Sequence, residues 1–171
     1  MALYLSNFKI NFAKVFPIFL LYFLSITEID TEFSNLFEIL SFNLQLIIIY
    51  YWMYKNPSML GNGHVFFAGI INDVIMSLPL GTSALSYLIV SFVASYISKV
   101  TVNTSLFTDW FTFVPAIFFS NLSYLVLIAN FSELTYTYNN IFYNSFFTFL
   151  FYPVFWLIFN IYKSILNIKN E

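Results

Sequence analysis

The chain has no cysteine and no arginine, a single histidine and four glycines, and charged residues make up only 8% of its 171 positions. Without cysteine there is no disulfide, thiol nucleophile, thiolate metal site or S-palmitoyl anchor. Six lysines and eight acidic residues are too few to solvate the surface of a 20.1 kDa globule; soluble domains carry roughly 25% charged residues. That shortage excludes a soluble enzyme. It also excludes a nucleic-acid binder, which needs clustered cations to neutralise phosphates. What fills the chain is apolar: 60% hydrophobic residues, 24 Phe among them, and a mean hydropathy of +0.81. A disordered chain is too polar to match this composition, and a bilayer is the environment it fits.

A helix crosses a hydrocarbon core with about 20 mostly apolar residues. Six stretches are expected to do so, at residues 10–26, 37–54, 64–80, 84–98, 110–131 and 141–162. Together they predict an all-α integral membrane protein, a six-transmembrane-helix bundle in one domain over 1–171. The third and fourth spans are joined by little more than Pro79, Leu80, Gly81 and Thr82, a proline and a glycine where a helix must stop. Lys9 and Lys14 precede an apolar run as in a secretory signal, but no small-residue cleavage pattern follows Ser25. The first stretch is therefore expected to be a retained helix.

With six spans, Lys9, Lys14, Lys55, Lys99, Lys163 and Lys169 all fall on one face. Glu28, Asp30, Glu32, Glu38 and Glu133 fall on the other. Lysine-rich short loops stay cytoplasmic, so both termini are expected inside. Tyr50, Tyr51, Trp52, Tyr54 and Trp110 are expected as a cytoplasmic aromatic belt, and Tyr136, Tyr138 and Tyr143 as the outer one.

One carboxylate is expected near mid-membrane, since Asp73 lies nine positions past His64, roughly 14 Å at 1.5 Å per residue. Gly69, Asp73, Ser77 and Gly81 are spaced four apart and would share one helical stripe. Ala84, Ser91, Ser95 and Ser98 recur at similar spacing in the next span, so these two helices should pack closely. Asp73 either binds a proton, cation or substrate on a transport path, or bonds to Ser77, Asn72, Asn121 or Asn144 and holds the bundle together. The second reading is the expectation, because no further ionisable group is expected at depth. His64 is expected to be interfacial and unligated, since a metal site needs several ligands. The acidic stretch 27–38 reads as a solvated loop, and the lysines are too few for a strong lipid-binding patch. No phosphate-cradling Gly-rich loop, HExxH or GxSxG is present, and no second deep aspartate is expected to pair with Asp73. No catalytic, cofactor or metal site is expected.

The stretch from Tyr51 to Ser98 carries a set of spacings: Tyr51-Trp52, Pro57, Gly63, Gly69 with Asp73 four residues on, then Pro79-Leu80-Gly81. This pattern resembles the rod shape-determining MreD family of bacteria, and Pro153 resembles a proline of that family's last helix. Glycine is common in the family four residues after the aspartate, where this chain has Ser77, and Lys55 is the only basic residue in the second–third connection. The resemblance implies a non-enzymatic inner-membrane subunit of the cell-elongation machinery. It would associate with the bitopic protein MreC and, through it, with MreB and the peptidoglycan synthases. It also implies a fold similar to the substrate-binding subunit of energy-coupling-factor transporters. From that fold comes the alternative function, a membrane subunit that binds a vitamin-type small molecule. In both cases the implied surroundings are membrane lipid.

Overall fold

The structure is a computed structural model that describes residues 15–27, 43–101, 105–131 and 138–165. Lys9, Lys14, Glu28, Asp30, Glu32, Glu38, Glu133, Tyr136 and Lys169 lie outside the described residues, as do residues 10–14 and 37–42 of the first two expected spans. Among the described residues every regular element is helical: α1 (Val15–Ile26), α2 (Leu44–Lys55), α3 (Pro57–Leu60), α4 (Asn62–Ile75), α5 (Thr82–Val100), α6 (Leu106–Phe131) and α7 (Tyr138–Ile165). Three stretches are long and apolar enough to cross a membrane: Thr82–Val100, Leu106–Phe131 and Asn140–Ile165. They contain the expected spans 84–98, 110–131 and 141–162.

Helix α2 is the centre of the molecule. Asn43 caps it by accepting the Leu46 N–H at 3.1 Å, and every residue from Leu46 to Lys55 is buried. A helix enclosed on all sides needs apolar or aromatic residues all round, and the sequence LQLIIIYYWMYK supplies them. Pro57 opens α3, where its missing N–H costs nothing. Gly61, at φ +68°, then turns the chain into α4.

The rings of α2 face inward. Tyr50 packs against Phe113 and Tyr152, with ring centroids 4.7 and 5.7 Å away, and Tyr51 and Trp52 pack against Phe159. Tyr50, Tyr51, Trp52 and Tyr54, expected in a headgroup belt, therefore belong to the core, because α5, α6 and α7 surround the helix that carries them.

The third expected span, 64–80, is not one helix. Helix α4 ends at Ile75, and Ser77 adopts a left-handed conformation at φ +52°. The Leu78 N–H returns to the Asp73 carbonyl at 2.9 Å, closing the helix in a Schellman-type turn. Ser77 and Gly81 thus leave the stripe that the four-residue spacing predicts, since both lie beyond the last helical turn. Gly81, at φ +101°, starts α5.

Candidate functional site

Two buried polar clusters lie at opposite ends of α2. The first is built on Asp73, whose side chain is fully buried in the last turn of α4. Its Oδ2 accepts the Gly81 N–H at 2.8 Å, and its Oδ1 accepts the Ser83 N–H at 2.7 Å. These are among the first N–H groups of α5, which have no partner within their own helix. Glycine at the cap position has no side chain to satisfy them, so a carboxylate from the preceding helix does so. The positive end of the α5 dipole favours the negative charge there. Asp73 thus takes backbone partners instead of Ser77, Asn72, Asn121 or Asn144, and it sits at the hairpin instead of in the middle of a span.

Further hydrogen bonds tie the same hairpin. Pro79 contributes its carbonyl, which accepts both the Thr82 N–H at 3.1 Å and the Thr82 hydroxyl at 2.7 Å. The Asn72 amide donates to Ser83 Oγ at 3.0 Å and accepts from Gln45 Nε2 at 3.1 Å; Gln45 also donates to the Leu24 carbonyl. Four helices, α1, α2, α4 and α5, are joined through this chain of bonds. Gly69 lies directly against the Ala84 backbone, so the expected close approach of the two helices occurs there.

The remaining motif residues have other positions. Leu80 is exposed at the hairpin tip. Gly63 lies inside α4 with open space beside it, and Gly61 supplies the turn. Of the serines in α5, Ser91 donates to Asn62 and Ser98 to the Tyr54 carbonyl, fastening α5 to α4 and α2. His64 is exposed and meets the Tyr22 hydroxyl at 3.2 Å through Nδ1.

The second cluster contains residues that spacing alone does not reveal. Lys55, expected in a cytoplasmic connection, is buried, and its Nζ lies 2.6 Å from Asp109 Oδ2. Trp156 Nε1 donates to the same oxygen at 2.7 Å. The Lys55 ammonium also stands 4.9 Å from the centre of the Tyr54 ring. Asp109 is fully buried in the first turn of α6, which begins four residues before the expected start of its span, and its partners come from α2 and α7. No pattern in the sequence singles Asp109 out. Lys163 is buried too, and so unavailable as a lipid-facing cation.

An apolar groove of about 450 Å³ lies between α5 and α6. Leu85, Ile89, Val93, Phe119, Leu122 and Val126 line it, and Asp73 does not. No group of three or more metal-ligating side chains occurs among the described residues. No protein-family model, curated protein or solved structure matches this chain.

Proposed function

We propose that this chain is a non-enzymatic, multi-pass subunit of the bacterial cell-elongation complex, of the MreD type. In this reading it has six spans with both termini cytoplasmic. It holds an MreC-like bitopic partner in the inner membrane and, through that partner, MreB and the peptidoglycan synthases. One observation carries the reading. Both oxygens of Asp73 are engaged by backbone N–H groups of the next helix. A buried carboxylate used this way fastens two helices together and is not presented to cargo. The motif around it therefore works as a clamp, as a scaffold requires. Pro79 and Gly81 shape the hairpin, Gly69 allows the close contact, and Tyr51 and Trp52 pack the core.

Affinity purification in mild detergent, with identification of the co-purifying proteins, tests the proposal. Enrichment of an MreC-like protein and cell-wall synthases, reduced by Asp73→Leu, supports it. Co-purification of paired ATPases with a coupling membrane subunit would instead make the chain the substrate-binding part of a small-molecule transporter.

A further inference from the structure

Helix α7 carries Phe147, Phe151, Phe155 and Phe159 at four-residue spacing, and α6 carries Phe107 and Phe111 near its start. Four residues of helix rise about 6 Å, and side chains four apart lie on the same face. Along this stripe, which meets Tyr51 and Trp52 of α2 at Phe159, sliding α7 by one turn replaces each ring with the next. The α7 rings that meet α6 are Phe149 and Tyr152. Dispersion and apolar contact have no direction of their own, and they discriminate poorly between such registers. Helices in lipid are held together by packing of this kind and by hydrogen bonds between helices.

Besides ring contacts and the Trp110 indole bond to the Phe149 carbonyl, an acceptor that recurs with every turn, two hydrogen bonds between side chains of α6 and α7 mark the axial position. One is neutral, Asn121 Nδ2 donating to Ser145 Oγ at 2.7 Å. The other is Trp156 donating to Asp109, which is itself paired with Lys55 of α2. Hydrogen bonds to a charged group are roughly twice as strong as neutral ones. A one-turn slide carries the indole about 6 Å away from the carboxylate. A buried ion pair is a weak source of net stability, because desolvation offsets the attraction, whereas fixing register is its best-attested use.

We infer that the Lys55–Asp109–Trp156 trio sets the axial register of α7 against α6 and α2. Because the chain has no cysteine, oxidative cross-linking in membranes reads the register without background. N121C/S145C reports the observed register, and N121C/F149C reports one displaced by a turn. Both pairs remove the neutral α6–α7 marker, which leaves the charged trio beside the neutral bond from the Asn43 N–H to Thr148 Oγ1. In the otherwise unaltered chain the first pair closes and the second does not. Trp156→Phe removes the indole donor, and K55M/D109L removes both charges together so that neither is left bare. The N121C/F149C yield is expected to rise to that of N121C/S145C in either background. An unchanged pattern in both backgrounds overturns the inference. So does failure of K55M/D109L to accumulate while Trp156→Phe keeps the original pattern, a result that assigns the trio to stability alone.

Discussion

A methyl group built on Gly69 would stand 2.3 Å from the Cα of Ala84, so α4 and α5 meet through bare backbone at this level. Backbone cannot swing aside as a side chain can. Gly69→Ala is therefore expected to force the helices apart, at a cost of about 1–3 kcal/mol. Thermal unfolding in detergent should show a drop of several degrees. Gly63→Ala is the matched control, since nothing lies within 4 Å of a methyl group there. It should leave the midpoint unchanged or raise it slightly, and an equal loss at both sites would contradict the close contact.

Ser77 occupies a conformation that suits glycine. At φ +52° its Cβ is strained, and the left-handed region costs a residue with a side chain about 1–2 kcal/mol. Ser77→Gly should relieve most of that cost and raise the unfolding midpoint. Ser77→Val, with a branched Cβ in the same place, should lower it. If Ser77→Gly is destabilising, the turn is not the feature that position 77 serves.

Asp73→Asn keeps one acceptor oxygen but turns an NH₂ donor toward one of the two N–H groups now bound. The expected loss is about 1–3 kcal/mol for the orphaned donor. Asp73→Leu removes both acceptors and should cost more. Hydrogen–deuterium exchange at the Gly81 and Ser83 amides is the direct measurement. Both should exchange faster in the variants, while amides in the middle of α5 stay protected.

Lys99 is exposed in the last turn of α5, and the 26 residues of α6 separate it from residue 133. Under the proposed topology, a cysteine replacing Lys99 should react with a membrane-impermeant maleimide only after permeabilisation. A cysteine at Glu133 should react in intact cells. Labelling of both from one side would rule out α6 as a span.

Asp73 and Asp109 show how far the sequence could be read. The four-residue spacing puts Gly69 and Asp73 on one face of α4, because that depends only on helical period, and at Gly69 this face meets Ala84. The same spacing misplaced Ser77 and Gly81, because the Asp73 carbonyl closes the helix before they are reached. Tyr51 and Trp52 read as belt residues because composition does not say which helix lies in the middle. Lys55 read as a loop cation for a related reason: its partner lies on a different helix, α6.

By itself the sequence determined the helical, lipid-compatible character of the chain, the apolar runs inside α5, α6 and α7, and the sharp turn around Pro79 and Gly81. These follow from local composition and from backbone preferences that act within a few residues. Only the tertiary structure decided that Asp73 caps α5, that α2 is enclosed by its neighbours, and that Lys55, Asp109 and Trp156 meet. Those pairings depend on how far each helix is rotated and shifted along its axis. A chain so rich in interchangeable aromatic rings carries little local record of either.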